Sequence, residues 1–203
     1  LNFDKNKSLK KSKLNFIVKK IKGFSSEFSF EDFNTFGNNF KLSNINLDFS
    51  IINFLNNQID LHINSIAFNN DLGFSLKQFS TKLSLSQDAF ILNELDIEYG
   101  ESNLLGDLYF DLSRIDIFNL VDINLYDSVY VDFKFKNSNI FPSDFHSFYK
   151  KINKNHSNSF TFNSNIKGYG NELFTENTTL SNKNNLIEFD SKLSNLFSNE
   201  KDH

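Results

Sequence analysis

Residues 128–137 read Ser-Val-Tyr-Val-Asp-Phe-Lys-Phe-Lys-Asn, and this stretch decides the fold class. Its apolar side chains recur at every second position, at Val129, Val131, Phe133 and Phe135. A period of two places these side chains on one face of a β-strand and the polar ones on the other. A sheet with one apolar and one polar face is typical of antiparallel strands.

The same alternation recurs along the chain, with breaks at turn residues such as Asn69-Asn70-Asp71 and Gly168-Tyr169-Gly170-Asn171. Two segments, 49–56 and 143–152, have crowded apolar positions or helix-end residues and are predicted to be short helices. The remaining periodic segments predict strands near 13–22, 24–31, 40–49, 58–68, 73–86, 89–99, 103–113, 115–125, 128–137, 159–168, 172–180 and 185–194.

The apolar phase slips inside two of these strands. Leu76 is at an even position, whereas the apolar residues that follow from Phe79 are at odd ones, and the same change occurs between Leu92 and Leu95. Such a slip requires a β-bulge, which bends the strand. The predicted fold class is therefore mainly β: a long, strongly curved antiparallel sheet, a β-taco or open groove, with one or two short helices.

Composition excludes several classes of protein. The chain has no Cys, so it has no disulfide framework, no thiol nucleophile and no Cys-based zinc site. Its charge of −4 and its single arginine, Arg114, argue against a nucleic-acid partner. Lysines concentrate in the first 22 residues, and we expect residues 1–13 to be a poorly ordered basic edge.

No catalytic constellation emerges from the sequence. The four histidines, His62, His146, His156 and His203, have none of the spacings of a metal site, and no Gly-x-Ser-x-Gly motif is present. We therefore expect no enzyme activity, no cofactor and no metal.

The apolar face of the sheet must be covered or used. One interpretation is a two-sheet sandwich, in which the strands cover one another, as in an extracellular or cell-surface structural module of adhesin type without a ligand. The other is a curled face that stays open for an apolar ligand. An outer-membrane barrel also alternates, but it needs aromatic girdles, and Trp is absent here.

Four stretches carry a resemblance to a known family. Residues 72–79 read Leu-Gly-Phe-Ser-Leu-Lys-Gln-Phe, and residues 92–108 contain Leu92-Asn93-Glu94-Leu95-Asp96-Ile97. Further along are Ile140-Phe141-Pro142-Ser143-Asp144-Phe145 and Gly168-Tyr169-Gly170-Asn171-Glu172-Leu173. Together they resemble the strand pairs, short helix and turn of the TamB family of translocation and assembly module proteins, over most of residues 14–195.

The resemblance implies an AsmA-like bridge protein of the Gram-negative envelope, located in the periplasm and anchored to the inner membrane by a segment outside this sequence. Residues 1–203 would be a single internal segment of a longer β-groove protein. Its role would be phospholipid transport to the outer membrane, or outer-membrane assembly with an assembly protein there as partner. Phospholipid acyl chains would contact the groove lining at Leu76, Leu83, Leu85, Leu95, Ile97, Leu108, Phe110, Val129, Val131, Phe133 and Phe135.

Overall fold

The structure is a computed structural model that describes residues 15–30, 40–70, 75–115, 128–147 and 158–194. These residues form ten strands and one short 3-10 helix, Pro142–Ser147. The strands are β1 Phe16–Phe30, β2 Phe40–Leu55, β3 Gln58–Asn70, β4 Ser75–Leu85, β5 Ala89–Tyr99, β6 Ser102–Asp111, β7 Tyr130–Ile140, β8 Phe160–Tyr169, β9 Glu172–Ser181 and β10 Leu186–Ser194.

All ten strands belong to one antiparallel sheet, and their order in the sheet is their order in the chain. The predicted fold class is confirmed: the sheet is open and curved, with β1 at one edge and β10 at the other. Within the described ranges, extensive contacts join only strands that are neighbours in the sheet. This part of the chain therefore forms a single layer and not the two layers of a sandwich.

The prediction of a helix at 49–56 is wrong. β2 runs through this segment to Leu55, and a turn at Asn56 and Asn57, both with positive φ, leads into β3. Asn tolerates this left-handed conformation, which a tight hairpin needs. The apolar crowding that resembled a helix is a bulge at Ile51, whose φ is 53°.

Other boundaries also differ from prediction. The described parts of the segments predicted at 13–22 and 24–31 form one strand, β1, because Gly23 pairs with Leu47 in the ladder and does not break it. Where the helix is predicted at 143–152, the structure has the 3-10 helix Pro142–Ser147, and residues 148–152 lie outside the described residues. The basic edge at 1–13 and most of the strand predicted at 115–125 lie outside the described residues.

The predicted phase slips are confirmed as bulges. The register between β4 and β5 shifts between Leu76 and Gln78, and the register between β5 and β6 shifts between Leu92 and Leu95. A bulge bends its strand and increases the local twist. It also restores the apolar side chains to the same face after the slip, so one face of the sheet stays apolar along the whole strand.

Candidate functional site

The candidate site is the apolar face of the sheet, defined by chains of cross-strand partners that share a side. One such chain runs from Leu61 through Leu83, Leu92 and Leu108 to Phe133. The pairing places ten of the sequence-predicted lining residues on this face: Leu76, Leu83, Leu85, Leu95, Ile97, Leu108, Phe110, Val131, Phe133 and Phe135. Val129, the eleventh, precedes β7 by one residue and is not part of the strand.

A continuous row of phenylalanine rings crosses the middle of the apolar face. The ring centroids of Phe90 and Phe110 are 5.5 Å apart, and those of Phe110 and Phe133 are 5.1 Å apart. The row continues over 6.4 Å from Phe133 to Phe135 and over 5.9 Å from Phe135 to Phe162. These are the distances of favourable aromatic pairs. Sequence reasoning did not name Phe90 and Phe162 as lining residues, although both alternate in phase with apolar neighbours.

Exposure on the apolar face rises from the centre of the sheet to its edges. Leu95 in β5 is 2% exposed and Val131 in β7 is 8% exposed. On the edge strands, Phe28 is 50% exposed and Phe189 is 46% exposed. Because the described strands form one layer, no second sheet provides the burial at the centre. The burial of these central side chains is what the concave side of a curved sheet produces, because neighbouring side chains on that side converge and shield one another. The apolar face is therefore the lining of a trough.

Small hydroxyl side chains occupy part of the trough between β7 and β10. Ser164 and Thr178 share a hydrogen bond of 2.8 Å, and Thr175 and Ser191 share one of 2.9 Å. The Ser138 hydroxyl accepts from the Leu105 amide at 3.0 Å and donates to the Leu105 carbonyl at 3.2 Å. Since these hydroxyls are bonded within the sheet, they need no water to satisfy them. The trough accordingly remains compatible with an apolar occupant there.

The opposite face of the sheet, which we call the polar face, carries the ion pairs. Lys22 lies 2.9 Å from Asp48, and Lys167 lies 2.7 Å from Glu176. The hydrogen bond with Asp48 is the main cause that raises the pKa of Lys22, and that with Glu176 is the main cause for Lys167. Such exposed pairs contribute little stability. Because these charged side chains lie on the polar face, that face is hydrated, in contrast to the trough.

The 3-10 helix docks at one end of the trough. Its Asp144 carboxylate accepts hydrogen bonds from the turn between β5 and β6, and the Phe145 and Tyr99 rings form an edge-to-face pair with their centroids 6.2 Å apart. Tyr99 pairs with Leu76 across β4 and β5 and so belongs to the apolar face. The helix therefore covers the end of that face where β5 and β6 meet.

The described residues contain no group of three or more His, Cys, Asp or Glu side chains arranged to hold a metal ion. Among the same residues, no helix has the length and apolar character needed to cross a bilayer. The trough thus provides apolar surface, aromatic rings and internally bonded hydroxyls.

Comparison with family models, curated proteins and solved structures finds no match to this chain.

Proposed function

We propose that the trough holds phospholipid acyl chains, and that the chain is a segment of a TamB-like, AsmA-like groove protein. In this proposal the protein lies in the periplasm of a Gram-negative bacterium and serves phospholipid transport to the outer membrane, or assembly of that membrane. An inner-membrane anchor and an outer-membrane assembly protein complete the proposed system. No catalytic residue and no cofactor take part.

The observation that carries the proposal is an apolar, concave face that no other described element covers along most of its length. A soluble protein seldom leaves a large continuous apolar patch open unless something binds there. Each CH₂ group removed from water is worth about 0.8 kcal/mol, so acyl chains gain from such a lining. A lipid headgroup stays in water at the open side of the trough.

Phe110 and Tyr109 provide a matched pair of positions for testing the proposal. They are adjacent aromatic residues in β6 with similar partial burial, but their cross-strand partners place them on opposite faces. A photo-crosslinking phenylalanine analogue is introduced at position 110 or at position 109 in cells of a Gram-negative bacterium. After irradiation, the protein is purified and the attached lipid is identified by mass spectrometry.

We expect phospholipid on the protein labelled at position 110 and little on the protein labelled at position 109. A charged side chain, introduced by Phe110→Asp, should interrupt the lining and reduce lipid capture at position 133, because an unpaired charge is costly in an apolar site. Circular dichroism confirms that each variant remains folded. Equal labelling at 109 and 110, or no lipid at either position of a folded protein, contradicts the proposal and favours a cell-surface structural module without a ligand.

A further inference from the structure

Five of the bulges of this sheet, one in each of β1, β3, β5, β7 and β9, share a common arrangement; the bulges at Asn44 and Ile51 in β2 lie outside it. In β5, β7 and β9 the chain takes three residues instead of two to return to the apolar face: from Leu92 to Leu95, from Phe135 to Ser138, and from Thr175 to Thr178. The residue just before each return has a left-handed backbone, with φ of 53° at Glu94 and 52° at Asn137 and Asn177. β1 takes the same step before Ser26, where φ of Ser25 is 47°.

At each of these four bulges, a side chain from the next strand accepts a hydrogen bond from the left-handed residue. Asp107 Oδ1 in β6 accepts from the Glu94 amide at 2.9 Å, and Asn163 Oδ1 in β8 accepts from the Asn137 amide at 2.7 Å. In the same way, the Asn177 amide donates to Asp190 Oδ1 at 2.7 Å, and the Ser25 amide donates to Asn46 Oδ1 at 3.2 Å.

The remaining strand pair, β3 and β4, shows a variant of this arrangement. The bulge is at Asn64, which the register between β2 and β3 skips. The side chain of Gln78 in β4 donates from Nε2 to the Asn64 carbonyl at 3.1 Å, and its Oε1 accepts from the Ser65 hydroxyl at 3.1 Å. When the strands are taken two at a time, from β1–β2 to β9–β10, each of the five resulting units has a bulge on its first strand and a side chain on its second strand that bonds to that bulge.

These side chains point to the polar face, yet their effect is on the apolar one. A bulge leaves backbone groups out of the ladder, and a left-handed conformation is unfavourable for residues other than glycine. If the strand continued without the bulge, its register would slip by one residue, and every following side chain would move to the other face. For β5 that slip would turn Leu95, Ile97 and Tyr99 away from the trough.

We infer that the sheet is a repeat of two-strand units, and that one side chain per unit is a positioning residue that holds the trough lining in phase. We name these residues clasp residues: Asn46, Gln78, Asp107, Asn163 and Asp190. The inference concerns the register of the lining, and only its consequence for lipid binding rests on the proposed function. It predicts that the clasp requires an oxygen acceptor, not a negative charge, at Asp107 and Asp190.

The test uses Asp107→Ala, which removes the acceptor, and Asp107→Asn, which keeps Oδ1. Glu98→Ala is the control, because Glu98 is an exposed acid on the polar face of β5 outside the bulge. Amide hydrogen exchange is measured at Glu94 by NMR. We expect exchange at Glu94 to rise about tenfold in Asp107→Ala, the change that a loss of about 1.4 kcal/mol produces. In Asp107→Asn and Glu98→Ala it should stay within about twofold of the wild-type rate.

The phase of the lining is measured separately by maleimide labelling of single cysteines at positions 97 and 98, which the cysteine-free chain permits. In the wild-type background, position 98 on the polar face should react faster than position 97. Asp107→Ala should reduce this contrast severalfold, and Asp107→Asn should restore it. If Asp107→Ala does not fold, Asn163→Ala and Asn163→Asp test the same points through the Asn137 amide.

The inference is overturned if Asp107→Ala leaves both the exchange rate at Glu94 and the ratio of labelling rates at positions 98 and 97 unchanged. It is also overturned if Asp107→Asn changes these two quantities as much as Asp107→Ala does. An equal rise of the exchange rate at Glu94 in Glu98→Ala overturns the inference as well, because the removal of any acidic side chain from this face would then have the same effect. These readouts need no lipid. A failure to capture phospholipid at position 110 would therefore refute the proposed function alone.

Discussion

The carboxylate of Asp144 is bonded three times to the turn that joins β5 to β6, and two of those bonds come from Ser102. Asp144 Oδ2 accepts from the Ser102 amide at 2.8 Å, from the Ser102 hydroxyl at 2.7 Å and from the Glu101 amide at 2.8 Å. Ser102 is buried at this point. The pair fastens the 3-10 helix to a hairpin 42 residues away in sequence.

Asp144→Ala should lower the free energy of unfolding by about 2–3 kcal/mol, because it leaves the Ser102 and Glu101 donors without their charged acceptor. Asp144→Asn keeps one acceptor oxygen and should lose about half as much. Urea unfolding followed by circular dichroism measures both values. Equal stabilities for the wild type and Asp144→Ala would show that the helix is not held by this carboxylate.

Gly100 should tolerate no side chain, whereas Gly23 should. A Cβ at Gly100, where φ is 60°, would overlap Asp144 Oδ1, but a Cβ at Gly23 would meet Leu47 at an ordinary 3.6 Å. We expect Gly100→Ala to lower the free energy of unfolding by at least about 2 kcal/mol, from backbone strain and displacement of the carboxylate. Gly23→Ala should change it by less than about 1 kcal/mol in either direction. Thermal and urea unfolding measure the free energy of unfolding of both variants. A similar decrease in Gly100→Ala and Gly23→Ala would argue against the docked position of the 3-10 helix.

Two leucines on the apolar face should differ in their contribution to stability. Leu95 in β5 is 2% exposed and Leu193 in β10 is 40% exposed. Leu95→Ala should cost about 3 kcal/mol, which is typical of a closed core, because the concave centre is packed by its own side chains. Leu193→Ala should cost less than about 1 kcal/mol. Equal costs in urea unfolding would mean that the face is flat rather than concave.

Acid should weaken the contact between β1 and β2 through Asp48. The Lys22 ammonium, followed by the Asn64 amide, hydrogen-bonds this carboxyl and holds its pKa below the ordinary value of 3.8. A carboxyl with a lowered folded-state pKa contributes its stability above pH 3.8 and loses it as the pH falls through the folded pKa. Between pH 5 and pH 2 the urea midpoint should therefore fall more steeply for the wild type than for Asp48→Asn. Lys22→Gln should show a similarly reduced fall, and a steeper fall in either variant would contradict the assignment.

Sequence alternation was sufficient to predict the sheet because hydrophobic periodicity is a local signal. The apolar positions of β7 and β6 alternate without interruption up to Phe135 and Phe110, and the structure places both on one face. Even the bulges after Leu76 and Leu92 could be predicted, because a strand whose apolar residues change phase needs a β-bulge to keep them on one face. The segment 49–56 was misread because a bulge at Ile51 produces the same apolar crowding as a helical turn.

The amino-acid sequence by itself determined that this protein is an antiparallel sheet with one apolar face, since the period of two fixes which side chains share a side. Tertiary structure alone decided that the described strands form a single layer, that the layer is concave, and that Asp107 and Asn163 belong to the bulges of neighbouring strands. Curvature and cross-strand hydrogen bonds depend on register between distant residues. The register is the sum of many weak pairings across the sheet, and no local pattern within one strand encodes it.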